Sequence, residues 1–209
     1  ELINSTDGPL RMIVVALDGP SGSGKSSTSK AIALRAGWSY LDTGALYRAV
    51  THIALSIKSE NQKEILAQLA LNPISFTPDP RDPRVFTGEV DISTVIRSNE
   101  VTDHVSVISA LPEIRAELLK LQRSIISKAD LGIVVEGRDI GTVVCPEAAL
   151  KIYLTADIAA RAGRRDAELA DLSQGVEQVG ASLAQRDEID STRATSPLAP
   201  AFDAVHIDS

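Results

Sequence analysis

Residues 12–36 combine an apolar run, a loop of glycine and serine, and a helical pattern, in that order. The run MIVVALD is rich in β-branched residues, which predicts a strand buried on both faces. The loop, GPSGSGKS at residues 19–26, matches G-x-x-x-x-G-K-[ST] at every fixed position. A loop of this kind between a buried strand and a helix predicts an α/β fold with a parallel sheet and right-handed crossovers.

The loop is suited to holding phosphate. Its glycines let the backbone turn so that several N–H groups point inward, and the following helix adds its positive end. We predict that Lys25 reaches the outer phosphates of a nucleotide and that the Ser26 hydroxyl ligates Mg²⁺. The residues predicted to bind the nucleotide are Gly19, Pro20, Ser21, Gly22, Ser23, Gly24, Lys25, Ser26 and Ser27.

The rest of the chain predicts further strands and helices around this unit. Apolar runs in WSYLD, LGIVVEGRD, ALKIYLTA and DAVHIDS predict core strands, and TGALYRAVTHIALSI predicts a helix capped by Thr43. The stretch 72–95 is dense in Pro, Asp and Thr and predicts a small antiparallel insertion. Helices resume after it, with Pro112 at a helix start, and the arginine-rich helical pattern beyond residue 156 breaks near Gly175.

These elements predict one domain with a P-loop NTPase fold, in which helices flank a central parallel sheet. The domain is expected over residues 12–209, after an N-terminal arm at residues 1–11. Its expected parts are a core (12–42 and 130–156) and a region with the insertion, which would bind the second ligand and is called the acceptor-binding region (43–115). The third part is a helical lid that would cover the bound ligands (about 157–185).

The amino-acid composition argues against several classes of function. The formal net charge is −7 and aromatic residues make up 3%, which argues against a nucleic-acid partner. No run is long and apolar enough to span a membrane. The single cysteine, Cys145, allows no disulfide framework, so we expect a cytoplasmic protein.

Two classes of nucleotide-binding protein then compete. A regulatory GTPase would carry a guanine-reading element such as Asn-Lys-x-Asp, and the sequence has none. A small-molecule kinase needs an acceptor pocket beside the phosphate loop, cations that neutralise phosphoryl charge, and a lid that excludes water. Three segments supply candidates for these parts.

The first segment is LDTGALYR at residues 41–48, where a strand gives way to a helix. Ligands of open α/β sheets bind at the carboxyl ends of the strands, which places Asp42, Thr43, Tyr47 and Arg48 around the cleft. Arg48 could fork onto an acceptor phosphate. The alternative is a surface arginine beside a packed tyrosine.

The second segment is VVEGRDIG, in which a buried strand ends in three charged residues. Burying these charges without partners would be costly, so we expect them to face the cleft. Glu136 is predicted to support Mg²⁺ through water, Arg138 to bind phosphate, and Asp139 to accept from the amino group of a base. A local ion pair is the alternative.

The third segment contains Arg161, Arg164 and Arg165, whose spacing places them near one face of a helix. They are either lid arginines for a transferring phosphoryl group or part of a solvated face, which nearby acidic residues would favour.

Together the motifs DGPSGSGKSS, LDTGALYR, EGRDIGTVV and RDEIDSTRATSPL resemble the bacterial cytidylate kinase family of P-loop nucleoside monophosphate kinases. They occur in the family's order and span nearly the whole chain. The insertion near residues 76–92 resembles the extra antiparallel piece of the bacterial enzymes.

The resemblance implies a role for individual residues. Lys25, Arg161 and Arg165 look like the catalytic cations, with the two arginines approaching the phosphates of ATP. The CMP-binding set looks like Thr43, Tyr47, Arg48, Ser106, Arg115, Arg138, Asp139, Arg186, Asp190 and Arg193. Within that set, Ser106, Arg115 and Asp139 resemble the family's cytosine readers.

The expected activity is phosphoryl transfer from ATP, with Mg²⁺, to CMP or dCMP, giving ADP and CDP or dCDP. We expect a monomer. The alternatives are a P-loop kinase for UMP, AMP or shikimate, and a nucleotide-dependent switch without transfer chemistry. An acceptor panel separates them.

Overall fold

A computed structural model describes residues 12–168 and 176–209; among these, the side chains of residues 165–168 and 176–179 are not described. The predicted N-terminal arm (1–11) and the predicted helix break near Gly175 lie outside the described residues. The division into core, acceptor-binding region and lid stays a prediction.

A five-stranded parallel sheet forms the centre of the fold, in the order β2-β6-β1-β7-β8. Its strands are β1 (Ile13–Asp18), β2 (Ser39–Asp42), β6 (Gly132–Gly137), β7 (Leu150–Thr155) and β8 (Val205–Asp208). The sheet and the helices around it confirm the predicted α/β fold. Strand β1 lies in the middle, so the phosphate loop that follows it leaves the centre of the sheet.

The second sheet is antiparallel and three-stranded, with strands β3 (Ile74–Thr77), β4 (Arg84–Thr87) and β5 (Val90–Asp91). It confirms the insertion predicted from the Pro- and Asp-rich stretch. The backbone N–H of Tyr40 in β2 donates to the carbonyl of Pro78 at 3.0 Å, which joins the insertion to the edge of the main sheet.

Seven α-helices connect and cover the strands within the described ranges. They are α1 (Lys25–Ala36), α2 (Thr43–Ser56), α3 (Gln62–Leu71), α4 (Asn99–Ser109), α5 (Pro112–Ile126), α6 (Ile158–Glu168) and α7 (Val176–Thr192). A 3₁₀ turn spans Val95–Arg97 and a π-helical turn spans Ile140–Val144. Proline stands at the start of α5, as predicted.

The core has two layers, one on each face of the sheet. Side chains alternate along β1 and β6, so Ala16, Ile133 and Val135 pack into the layer under α2 and α5. Their neighbours Val15 and Val134 pack into the other layer, beside α1. Both faces are therefore buried, which explains why these strands are nearly continuous apolar runs.

One predicted cap is wrong. The N-cap of α2 is Asp42, whose carboxylate accepts from the backbone N–H of Ala45 at 3.0 Å. Thr43 is already the first helical residue, and its hydroxyl donates to the carbonyl of Glu136 at 2.7 Å. Both residue types are good caps, and only the tertiary contact separates them.

No helix within residues 12–168 and 176–209 is both long and apolar enough for a membrane span.

Candidate active site

A cleft of about 660 Å³ opens where the carboxyl ends of β1, β2 and β6 meet. It brings together residues from all three predicted segments and from the phosphate loop. The predicted site residues on its wall are Ser21, Gly22, Gly24, Lys25, Ser26, Ser27, Thr43, Tyr47, Arg48, Ser106, Glu136, Arg138, Asp139, Arg186, Asp190 and Arg193.

Five other predicted residues do not line the cleft, and Arg165 has no described side chain. These five are Gly19, Pro20, Ser23, Arg115 and Arg161. The backbone carbonyls of Gly19 and Pro20 accept hydrogen bonds from Arg138 and Lys25, so these two residues serve through their backbone.

The phosphate loop has the shape that its glycines predict. Gly22 and Gly24 have φ values of 75° and 87°, in the left-handed region that favours glycine. Gly24 is also the N-cap of α1, so the first N–H groups of that helix face the cleft without a capping side chain. Free helix N–H groups with the positive helix end behind them form an anion site.

Lys25 is buried beneath this loop, and its ammonium donates to the carbonyl of Pro20 at 2.6 Å. Burial, and then the nearby charge of Arg138, lower the pKa of Lys25 to about 7. Bound phosphate would place negative charge beside the ammonium group. This charge would raise the pKa of Lys25 and favour its protonated form.

Among the glycines that the structure describes, Gly19 is the one where an added Cβ would make the closest contact. A Cβ at this position would lie 2.0 Å from the carbonyl oxygen of Leu154, and φ is 149°.

We expect Gly19→Ala to lower the free energy of unfolding by about 3 kcal/mol or more, because backbone atoms of β7 would have to move. Thermal unfolding measures this change. The control is Gly37→Ala, where a Cβ meets nothing within 4 Å and only the positive φ costs about 1–2 kcal/mol; equal losses would contradict the clash.

Glu136 is the penultimate residue of strand β6 and is 3% exposed. The Tyr40 hydroxyl donates to Oε1, and Oε2 has no hydrogen-bond partner in the part of the chain that the structure describes. Burial, and then the charge of Asp42, raise the pKa of Glu136 to about 7. Lys25 and Ser26 both act on this carboxylate, so Oε2 is an acceptor beside the phosphate loop.

Four charged residues on one side of the cleft, which we call the acceptor wall, are Arg138, Asp139, Asp190 and Arg193. The Arg138 guanidinium donates to the Asp190 carboxylate and to the Gly19 carbonyl, both at 2.9 Å. Arg193 lies 3.5 Å from the other Asp190 oxygen. Arg138 therefore contacts the phosphate loop on one side and α7 on the other.

Two further arginines converge on α4. Arg48 donates to the Thr102 hydroxyl at 2.7 Å, and Arg186 donates to the Thr102 carbonyl at 2.9 Å. Arg186 also lies 3.5 Å from the Ser21 hydroxyl. Helices α2, α4 and α7 thus meet at the cleft with a concentration of positive charge suited to an anionic ligand.

Next to Arg138, Asp139 pairs with Arg115 at 2.5 Å, and both side chains are 6% exposed. Arg115 also donates to the carbonyl of Ser109 and lies over the ring of Tyr47. Asp139 lines the cleft and Arg115 does not. The pair therefore presents a carboxylate to the cleft and keeps the guanidinium behind it.

A sequence model of the cytidylate kinase family matches residues 15–209. The chain is a member of the cytidylate kinase family.

Two cytidylate kinases agree with this assignment. A cytidylate kinase from Streptomyces avermitilis is 50% identical over 201 residues, covering 94% of this chain and 85% of the relative. One from Streptococcus pneumoniae (strain 70585) is 47% identical over 207 residues, covering 96% and 91%. Among solved structures, a gluconokinase from Sinorhizobium meliloti 1021 has a TM-score of 0.48 and 14% identity over 96% of this chain and 84% of that one.

In this member of the cytidylate kinase family, the arginines of α6 take different places. Arg161 is 7% exposed, pairs with Asp187 at 2.5 Å and donates to the Ser21 carbonyl, so it packs under the phosphate loop. Arg164 lines the cleft, where one of its terminal nitrogens would be 3.8 Å from a Cβ at Gly24. The side chain of Arg165 lies outside the described residues.

Arg164, one of the three predicted lid candidates, lines the cleft. Sequence reasoning missed two other residues of this cytidylate kinase family site. Asp187 accepts from the Ser21 N–H and from Arg161, and Asp18 holds the backbone of Ile140 and Gly141. No local pattern marks either aspartate, because their partners lie more than 100 residues away except for Arg161.

Proposed function

We propose that the chain transfers a phosphoryl group from ATP to CMP or dCMP, producing ADP and CDP or dCDP. One observation carries the proposal: a single cleft joins a phosphate loop to a wall of arginines and a carboxylate. A switch protein has no need for a second anion site opposite its phosphate loop. The relatives named cytidylate kinase support the same acceptor.

The phosphoryl donor would lie along the phosphate loop, and the acceptor phosphate along Arg48, Arg138, Arg186 and Arg193. The acceptor oxygen is an ionised phosphate oxygen near neutral pH, so no general base is needed. Catalysis then consists of placing the two phosphates in line and neutralising their charge. Lys25 supplies charge from beneath the loop, and Arg164 faces the same loop from α6.

Magnesium fits the donor atoms of this site. Mg²⁺ takes oxygen ligands and is usually held by one or two carboxylates together with substrate phosphates. Ser26 offers a hydroxyl on the cleft wall, and Glu136 offers its unpaired Oε2, which we propose to act through water. When bound, the ion would neutralise charge on the donor phosphates.

For base recognition we propose Asp139 and Ser106, which both line the cleft. The exocyclic amino group of cytosine can donate to the Asp139 carboxylate, whereas uracil presents an acceptor there and is repelled. That Arg115 itself donates to the cytosine ring stays a prediction, because it is 5% exposed and contacts the back of Asp139.

Thr43, Tyr47 and Asp190 complete the proposed CMP shell, and Arg161 and Arg165 remain proposed lid cations. We further propose that the protein works as a monomer in the cytoplasm. The chain has a single cysteine, Cys145, and so can form no disulfide within itself, which supports a reducing compartment.

The proposal is tested by measuring ADP release from MgATP with CMP, dCMP, UMP, AMP and shikimate in turn. We expect release to depend on CMP or dCMP and to be at least about 100-fold slower with AMP, since a site built on hydrogen bonds rejects a mismatched base. Release that is independent of the acceptor, or strongest with shikimate, would overturn the assignment. The no-acceptor reaction is the control.

A further inference from the structure

Asp18 is the last residue of β1 and is 3% exposed. Its two oxygens accept from two consecutive backbone N–H groups, those of Ile140 and Gly141, each at 2.8 Å. These amides follow Asp139 directly and begin the π-helical turn Ile140–Val144. One side chain therefore holds the start of the segment that follows the acceptor-wall residues.

The next residue of the chain holds the same segment by a different group. The carbonyl of Gly19 accepts from the Arg138 guanidinium at 2.9 Å. Asp18 and Gly19 thus contact residues 138, 140 and 141 at three points, while Gly19 opens the phosphate loop. The backbone of Asp18 is itself fixed, because β1 pairs with β6 at Gly137 and with β7 at Tyr153.

The opposite side of the turn is closed as well. A Cβ at Gly141 would lie 3.2 Å from the aliphatic chain of Lys151 and 3.4 Å from Ala201. Lys151 is 7% exposed and is fixed by Asp203, with both carboxylate oxygens at 2.9 Å. Lys151 and Ala201 pack against one side of the turn and Asp18 against the other. The two hydrogen bonds to Asp18 therefore determine where the turn lies.

A carboxylate is a costly choice for this position. Burial is the main cause that raises the pKa of Asp18 to about 6, and the hydrogen bonds from Gly141 and Ile140 oppose it. An apolar residue would avoid the desolvation penalty but would leave two buried N–H groups without acceptors. The advantage of the carboxylate is that its two oxygens fix two adjacent backbone N–H groups at once.

We propose that Asp18 is a positioning residue, which sets Arg138 and Asp139 of the acceptor wall at a fixed place relative to the phosphate loop. The inference rests on the proposed function. Phosphoryl transfer depends on the alignment of donor and acceptor, so a displaced acceptor wall lowers turnover even when each substrate still binds. Asp18 itself touches neither substrate and is not a catalytic residue.

The test is Asp18→Asn, which keeps the shape but replaces one acceptor oxygen with an amide that cannot accept. We expect kcat/KM for CMP to fall roughly 10- to 100-fold, the loss typical of a small misplacement of reacting groups. The Kd of ADP should stay within about twofold, because the strand pairing that carries the phosphate loop is unchanged. Steady-state kinetics and calorimetry measure the two quantities.

The control is Val15→Ala, on the same strand, with its side chain buried in the layer beside α1 and away from the turn. It should lower the melting temperature while leaving kcat/KM for CMP within about twofold. If Asp18→Asn lowers stability but matches Val15→Ala in its kinetics, the role of Asp18 is structural and the inference is wrong.

Asp18→Ser is the second variant, since it keeps a small acceptor and removes the buried charge. If Asp18→Asn does not fold, the same selective loss on CMP is expected of Asp18→Ser. Failure of both to fold would overturn the inference, because the residue would then serve the fold alone. A wild-type protein that does not use CMP would overturn the proposed function instead, whatever the variants do.

Discussion

Lys25→Ala is expected to lower kcat for the transfer from ATP to CMP by about 1,000-fold or more, with the fold intact. Loss of a cation that neutralises the transferring phosphoryl group has an effect of this size in other phosphoryl-transfer enzymes. Lys25 is the one lysine on the cleft wall within the described ranges, and it lies beneath the loop at 2.6 Å from the Pro20 carbonyl. The measurement is single-turnover ADP formation with saturating CMP.

The fold is expected to survive this change because the buried ammonium is a cost in the unliganded protein. Burial lowers the pKa of Lys25, so the charged form is disfavoured where it lies. Circular dichroism and the melting temperature should therefore remain close to those of the wild type. Lys63→Ala removes the same charge from an exposed position on α3 and is expected to leave kcat unchanged.

Near-normal turnover in a folded Lys25→Ala protein would contradict the role of the phosphate loop in transfer. Equal losses in Lys25→Ala and Lys63→Ala would point instead to a general effect of net charge on substrate attraction. Raising the salt concentration separates these results, because only long-range attraction is screened.

The phosphate loop could be predicted from the sequence because every part of it is local. Glycines at fixed positions, a lysine and a helix start lie within eight consecutive residues, and the strand before them is a continuous apolar run. The same holds for the α/β fold, since alternation of strands and helices leaves few topologies. The antiparallel insertion was also marked locally, by its prolines and aspartates.

The parts that could not be predicted depend on contacts between distant segments. Asp42 and Thr43 are both good N-caps, and the choice follows from the bond between Thr43 and the carbonyl of Glu136, 93 residues away. Arg161 stays a predicted lid cation, but its contact with Asp187, 26 residues away, could not be predicted from the sequence. The spacing of the arginines predicts which of them share a face of α6, but it does not predict which acidic residue each one contacts.

Asp139→Asn and Arg115→Ala are expected to erode the preference for CMP over UMP by at least about 100-fold, mainly by lowering turnover of CMP. An amide at position 139 presents a donor or an acceptor to either base, so the repulsion of uracil is lost. Without Arg115, the carboxylate loses its buried counter-charge and its fixed orientation. The measurement is the ratio of kcat/KM for the two nucleotides.

Both variants are also expected to be less stable, by about 3–5 kcal/mol, because each leaves a buried charge without its partner. The double variant should lose less than the sum of the two, since it removes both charges of one ion pair. Denaturant unfolding of the four proteins gives this comparison. The coupling distinguishes an ion pair that is specific to the site from two independent core residues.

Leu118→Ala is the matched control for lost stability, since Leu118 lies one turn beyond Arg115 on α5 and is 2% exposed. A loss of about 2–5 kcal/mol is expected from the cavity, with no change in the ratio for CMP and UMP. If Asp139→Asn and Arg115→Ala behave in the same way, the pair only supports the fold. Selection of the base would then rest with other residues that line the cleft, of which Ser106 is the first to test.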